Sequence, residues 1–521
     1  METTMLLLYA GIFAAAAMYL AAAAVFRRRG GGGAGLPPGP RGLPLVGSLL
    51  SLDPDLHTYF AGLAARYGPI FSIRLGSKLG VVVSSPALAR EMLRGDNDLV
   101  FSSRDIPDAA RAISYGGGQN IVWNPVGPTW RLLRRICVRE MLSPAGLDNA
   151  GELRRREFMS TLRHIHAVAG AGGEGTVDVG AQMFLNTMNV VTSTLWGGNI
   201  GGESERAAVG KEFRDLVADI TEMLGAPNVS DFFPALAKFD LQGIRKKSDV
   251  LMHRFDEIFA RIIQQRTKGS DGETAADFLE YMLKLEKEGG DGKAAFTMTN
   301  VKALLMDLVV GGTETTSNTV EWAMAELLKD RRALRKVKEE LDAVVGREAV
   351  VEEHHLPRLH YLHLVLKETL RLHPALPLMV PHCPTDDAVI AGHHIPAGSR
   401  VFVNVWAIQR DPSIWENPGE FIPERFENAG DGGGGRRLDF TGSEQDYMPF
   451  GSGRRICAGI AMAERMAGYS LALLLQAFDW ELPAGERLDM AERFAIVMKK
   501  ATPLVAVPTR RLSKPELYYS S

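Results

Sequence analysis

The strongest pattern along the chain lies at its start. Residues 5–26 read MLLLYAGIFAAAAMYLAAAAVF, 22 positions without a charge. At about 1.5 Å of rise per residue, such a helix crosses the roughly 30 Å hydrocarbon core of a bilayer. Arg27, Arg28 and Arg29 follow at once, which places the body on the cytoplasmic side and residues 1–4 on the lumenal side. A cleaved signal peptide fits less well. Its leading segment would carry Glu2 and no Lys or Arg, and the run is longer than the about 7–15 residues of a signal core. Residues 27–47 form a basic, glycine- and proline-rich hinge, in which LPPGP at 36–40 stiffens the chain because proline fixes φ.

Beyond the hinge, from about Pro54 to Val345, apolar residues recur at helical spacing. The exceptions are two short apolar or alternating runs at 70–75 and 80–84, which predict a hairpin around Gly76. Residues 299–329 predict one long helix with an odd centre. Gly311-Gly312 costs about 1 kcal/mol per glycine against alanine, and three threonines and a glutamate follow in apolar surroundings. A local weakness inside a long buried helix marks a functional position. A second amphipathic helix runs from Asp330 to Gly346, and another covers 360–373 before Pro374. Residues 388–406 turn to short strands broken by Gly392 and Gly398, 430–435 is a surface loop, and a last helix follows Cys457. The pattern predicts a mainly α body with a minor β region (α+β), without repeats or an internal boundary.

Composition narrows the function. The 521 residues are 46% apolar and 23% charged, with a formal net charge of −3 and no basic stripe, so nucleic acid is not a partner. Cys137, Cys383 and Cys457 are odd in number and far apart, which excludes a disulfide framework and C-x-x-C chemistry and fits a reducing compartment. The sequon at Asn228 would go unused on a cytoplasmic body. Two G-x-G-x-x-G matches, at 30–35 and 430–435, neither follow a strand nor open a helix and read as linkers.

Four motifs carry chemistry. In FGSGRRICAG at 450–459, glycines bracket Cys457 and permit close approach to a flat ligand. Arg454 and Arg455 beside it are expected to lower its pKa and favour the metal-binding thiolate. Glu368 and Arg371 share a helix face at i, i+3. Alone such a pair is usually a solvated one, but FIPERF at 421–426 offers a second arginine, Arg425. GGTETT at 311–316 reads either as a glycine-kinked core helix with hydroxyls bonding back to carbonyls or as a groove for dioxygen, with Glu314 feeding protons and Thr315 holding the oxygen. Trp130 and Arg134, four apart, could together bind a carboxylate.

Taken in this order, the motifs resemble the cytochrome P-450 haem-thiolate monooxygenases, and the resemblance covers essentially the whole chain after the apolar run. It implies one catalytic domain over 48–521 and a haem b cofactor whose iron is ligated by Cys457. It further implies an ion triad of Glu368, Arg371 and Arg425. Trp130, Arg134, His382 and Arg455 would meet the haem propionates, Glu314 and Thr315 would form the acid–alcohol pair for proton delivery, and Phe450 would pack near the sulfur. Glu314 stands where Asp is commoner, Gly311 where Ala is commoner, and His382 where many members have Arg. The implied reaction inserts one atom of O2 into a C–H bond of an apolar small molecule and reduces the other to water. Electrons would come from NADPH–cytochrome P-450 reductase, with the chain anchored in the endoplasmic reticulum membrane.

APNVSDFFP at 226–234 and DLQGI at 240–244 resemble plant family 76, which implies a terpenoid substrate, with diterpenes among the candidates. By the same resemblance the pocket would be lined from 101–122, 306–311, 376–380 and 496–497, largely aliphatic near the iron. The alternative is an aromatic hydroxylase of phenylpropanoid or flavonoid type. An oxygen-independent enzyme rearranging hydroperoxides, or a haem sensor, would have no use for Thr315 and its acid neighbour.

Overall fold

The computed structural model describes residues 35–170, 175–197, 203–268, 277–427 and 438–519. The apolar run at 5–26 and the loop at 430–435 lie outside them. Among the described residues no helix is long and apolar enough to cross a membrane.

The expected hairpin is present. Strands β1 (Ile70–Leu75) and β2 (Lys78–Val83) pair antiparallel, with Phe71 opposite Val82. They turn at Gly76, whose φ is +60° and where a Cβ would come within 2.8 Å of the Phe232 carbonyl oxygen. A two-residue β3 (Val177–Asp178) precedes the central helices. The hairpin of β4 (Ala388–Ile390) and β5 (His393–Ile395) leads to β6 (Arg400–Val403), which joins β2 in parallel register, Val81 opposite Val401. Towards the end come β7 (Phe478–Glu481), β8 (Glu492–Arg493), β9 (Lys499–Lys500) and β10 (Val505–Arg510). The second sheet has the order β3-β10-β7, and β8 pairs with β9 alone.

The helices that frame the site are α1 (Leu56–Tyr67), α2 (Pro128–Ile136), α3 (Gly151–Gly170), α4 (Val179–Trp196), α5 (Met298–Lys329), α6 (Arg331–Val344), α7 (His360–Leu372) and α8 (Ile460–Ala477). Helix α5 starts with a capping box between Thr297 and Asn300, and Asp330 then caps α6. Helix α7 stops at Leu372, directly before the X-Pro pair His373-Pro374. Helix α5 packs along α4 and against α7 and α8, and the apolar faces of these helices form the largest core. Its centre does not break, since helical geometry runs through Gly311-Gly312. A Cβ at Gly312 would press Val191 of α4 at 3.3 Å, whereas one at Gly311 would meet nothing within 4 Å. The first glycine of the pair therefore faces open space and the second lets two helices approach.

The β8–β9 hairpin is fixed by charge. Glu492 on β8 accepts from His57 Nε2 at 3.1 Å and His373 Nδ1 at 3.0 Å, and His373 Nε2 reaches Glu326 of α5 at 2.8 Å. These contacts bring β9 against the middle of α5.

Candidate active site

The open space beside Gly311 is a cavity of about 360 Å³ between α5 and the loop that carries Cys457. Gly451 (φ +79°) and Gly453 (φ +70°) shape that loop, and a Cβ on Gly453 would strike the Leu93 carbonyl oxygen at 2.6 Å. The Cys457 amide donates to Phe450 O at 3.0 Å, and the Gly459 amide donates to Cys457 Sγ at 3.3 Å. Phe450 also lines the cavity and meets Phe440 edge to face, with centroids 5.3 Å apart. Cys457 is exposed by area yet lies deep in the body, because its exposed surface opens into the cavity.

The electrostatics of the sulfur differ from the sequence expectation. Burial pushes the Cys457 thiol up, opposed by the Gly459 N–H and by Arg134. Neither arginine next to it in sequence does this work. Arg454 pairs with Asp98 at 2.9 Å, and Arg455 donates to the carbonyls of Ser102, Ile121 and Asn124 at 2.6, 2.9 and 2.5 Å. The helix-borne Arg134 supplies the positive potential. A thiol pushed up by burial becomes thiolate when a metal takes the proton's place.

One edge of the cavity is cationic. Arg104, Arg134, Arg455 and His382 all line it. Burial lowers Arg104 to about 9, with Arg455 adding repulsion, and lowers Arg455 to about 10, with Arg134 adding repulsion. Among the described residues none of the three guanidiniums has a carboxylate partner, and Arg104 Nε is buried without any partner. His382 Nδ1 donates to Phe101 O (2.8 Å), and burial with the nearby Arg104 holds its imidazole well below its ordinary range. Trp130, expected at a carboxylate, instead gives its indole proton to Ile121 O at 3.1 Å. Its ring lies 5.7 Å from the Arg134 guanidinium and 5.0 Å from that of Arg455. Buried guanidiniums without counter-ions, opposite a thiol, suit a flat group with anionic substituents on one edge and an atom that binds sulfur at its centre.

The other wall is α5. Asp307, Leu308, Gly311, Gly312, Thr315, Thr316 and Thr319 face the cavity. Thr315 Oγ1 donates to Gly311 O at 2.8 Å, so its hydroxyl oxygen remains free to accept. Glu314 does not share this face. Its carboxylate pairs with Lys499 on β9, while its second oxygen is buried without a partner. The structure therefore brings Thr315 to the cavity and turns Glu314 towards the hairpin.

Beneath the loop, Glu368 and Arg371 are both fully buried. Arg371 Nε and Nη2 meet the two carboxylate oxygens at 2.7 and 2.8 Å, and Arg425 Nε adds a third contact at 3.0 Å. The Ile422 amide also donates to Glu368, at 2.8 Å, and Arg371 caps the carbonyls of Gln409, Pro418 and Glu420. The three side chains lock the strand-to-loop segment before Cys457 onto α7.

Sequence reasoning missed Arg104, Asp307 and Lys499. Of the segments expected to line the pocket, 101–122, 306–311 and 376–380 do so, but 496–497 are not among the lining residues. Nor is the wall uniformly aliphatic, because Arg104 and Asp307 sit among Ile121, Val122, Leu308, Leu376, Met379 and Val380.

Comparison with known proteins gives consistent matches. Residues 37–507 match the family described as Cytochrome P450. Flavonoid 3'-monooxygenase CYP75B137 of Crocosmia x crocosmiiflora is 36% identical over 92% of this chain and 93% of its own length. Iridoid oxidase of Catharanthus roseus is 37% identical, covering 91% and 92%. Cytochrome P450 76M5 of Oryza sativa subsp. japonica is 40% identical, covering 91% of each chain. A solved zebra fish cytochrome P450 with progesterone superposes at a TM-score of 0.73 with 25% identity, over 88% of this chain and 100% of that one.

Proposed function

This chain belongs to the cytochrome P450 family and is a haem-thiolate monooxygenase of plant specialised metabolism, and we propose that it hydroxylates a terpenoid. Its cofactor is haem, and O2, a small-molecule substrate and a redox partner complete the reaction. Haem bound through a cysteine thiolate activates dioxygen, since the sulfur pushes electron density to the iron and favours O–O cleavage.

The residues fit that group. In this reading Cys457 would hold the haem iron through its sulfur, and the Gly459 amide would stabilise that sulfur. Arg104, Arg134, Arg455 and His382 hold the propionate edge, with Trp130 packed between two of the guanidiniums. Phe450 shields the sulfur side from water. Glu368, Arg371 and Arg425 form the scaffold that keeps the loop in place. Thr315 accepts and passes a proton at the cavity wall, and Glu314, on leaving Lys499, would take up a proton from water and relay it.

The observation that carries the substrate reading is the cavity wall opposite Cys457. Ile121, Val122, Leu308, Leu376, Met379 and Val380 offer an apolar surface suited to an isoprenoid skeleton, diterpenes included. The iridoid oxidase and the family 76 relative support it. The flavonoid 3'-monooxygenase relative favours an aromatic hydroxylase as the second reading. We further assign residues 5–26 as a single-pass anchor in the endoplasmic reticulum membrane, residues 27–47 as a hinge, 48–521 as one catalytic domain on the cytoplasmic side, and NADPH–cytochrome P-450 reductase as the electron donor.

Co-expression with the reductase and a panel of terpenes and flavonoids, with products read by mass spectrometry, tests the substrate. Oxidised terpenoids are expected, and turnover confined to flavonoids would overturn the first reading. Cys457→Ser should abolish the red-shifted absorption of the reduced CO complex that sulfur ligation produces. An unchanged band would remove Cys457 from the iron.

A further inference from the structure

Asp307 is an acid in the wall of an otherwise apolar substrate cavity. It lies four residues before Gly311 and eight before Thr315, on the same face of α5, and all three line the cavity. The residue is partly exposed by area although it sits deep in the body, so its exposed surface opens into the cavity.

Part of its carboxylate is engaged. Asn120 Nδ2 donates to Oδ1 at 2.9 Å and the Ile121 amide donates to Oδ2 at 2.7 Å, with the Val122 amide adding to these. These contacts hold the 120–122 segment over the cavity. They do not exhaust the group, because a carboxylate offers about four acceptor positions. Among the described residues no cation balances it: burial is the main influence and pushes the carboxyl up to about 7, opposed by hydrogen bonds alone. A purely structural strut needs neither the opening to the cavity nor the spare acceptor position. An acid that lines a cavity together with Ile121, Val122, Leu308 and Leu376 is the kind of isolated polar group that orients a ligand in an apolar pocket.

We propose that Asp307 is the polar anchor of the substrate, accepting a hydrogen bond from a hydroxyl, so that the enzyme acts on terpenoid alcohols rather than on bare hydrocarbons. The inference rests on the terpenoid reading above and adds a direction to it. Eight residues of helix separate Asp307 from Thr315, about 12 Å along the axis. An alcohol held at Asp307 therefore presents its far end to the reacting position, and oxidation falls on a carbon remote from the hydroxyl.

The test uses the haem-loaded full chain with farnesol and farnesyl methyl ether, which share a skeleton and differ in the donor. Binding is read from the shift of the haem absorption band on titration. Wild type should bind the alcohol at least about tenfold more tightly than the ether, the discrimination expected when a buried polar group loses its partner. Asp307→Ala should bring the ratio near one by weakening the alcohol and leaving the ether within about twofold. Should that variant fold poorly, the wild-type ratio and Asp307→Asn carry the test. Equal binding of the two ligands by wild type, no shift with farnesol, or a ratio unchanged by either substitution would overturn the anchor. These results leave the terpenoid reading standing if terpene hydrocarbons are still oxidised. Binding of a flavanone with no binding of farnesol overturns both. With farnesol as substrate, hydroxylation next to the existing alcohol would contradict the predicted direction.

Discussion

Lys499, on the second strand of a two-residue hairpin, pairs with Glu314 in the middle of α5. The carboxylate is buried and its other oxygen has no partner, so the lysine alone balances its charge among the described residues. The pair is held from a distance, because Glu492 on the first strand is fixed by His57 and His373.

Removing both partners should therefore cost less than the two single removals added together. Lys499→Met and Glu314→Gln are each expected to destabilise the fold by roughly 2–4 kcal/mol, and the double variant to recover about 1–3 kcal/mol of their sum. A double-mutant cycle in denaturant measures this. Additive losses would mean the two groups do not interact in solution.

The proton-passing role of Thr315 should show in a turnover assay. Thr315→Ala removes a hydroxyl on the cavity wall, and the share of consumed NADPH recovered as product should fall several-fold while peroxide rises. Substrate affinity should change little. Coupling at the wild-type level would take proton transfer away from Thr315.

Glu368→Gln tests the buried triad. An amide cannot satisfy two arginines, so Arg371 and Arg425 would keep their charges with no counter-ion in a dry site. The expected loss is about 3–5 kcal/mol, with little haem-loaded protein recovered on expression. A variant as stable as wild type would show that the carbonyls around Arg371 are sufficient by themselves.

Arg104→Met should loosen the cofactor without moving the sulfur. Haem transfer to an excess of apomyoglobin is expected to accelerate by about tenfold or more, while the reduced CO complex keeps its red-shifted band. An unchanged transfer rate would place Arg104 away from the anionic edge.

Asp307 also predicts a pH dependence. Its carboxyl rises from an ordinary 3.8 to about 7 on folding, because it is buried. Such a group contributes its full stability below about pH 4 and loses it as the pH climbs through about 7. A rise of that size corresponds to about 4 kcal/mol. His382 runs the other way: its buried imidazole is held low, so its contribution is present above about 6.5 and lost as the pH falls. The informative quantity is thus the difference in stability between wild type and Asp307→Asn, which should shift against wild type from pH 4 to 7. A constant difference would show an acid that titrates normally.

What could be read from the sequence was local. The Cys457 loop and the Glu368–Arg371 pair are legible because glycines and an i, i+3 spacing fix them within one element. The hairpin at 70–83 and the long helix follow from periodicity. The direction of Glu314 was not legible because it lies about 100° round the helix from Thr315, on the side away from Thr316, and there meets Lys499 from a distant strand. The same periodicity, carried back from Thr315 through Gly311, reaches Asp307 and could have found it. Arg104 and Lys499 left no such trace, since only the tertiary fold brings them to the cavity edge and to α5. The pull of Arg454 and Arg455 on the sulfur failed for a related reason: closeness in sequence does not say which way a long side chain turns.

A single residue, Ile121, links the proposed substrate anchor to the cationic edge. The amide of Ile121 is taken by Asp307, and its carbonyl is shared by Trp130 and Arg455 at the cationic edge. A load on either side of that residue is passed through its Cα to the other. By thermodynamic reciprocity, an occupant that tightens the grip on haem must itself be gripped more tightly, by the same factor, once haem is in place.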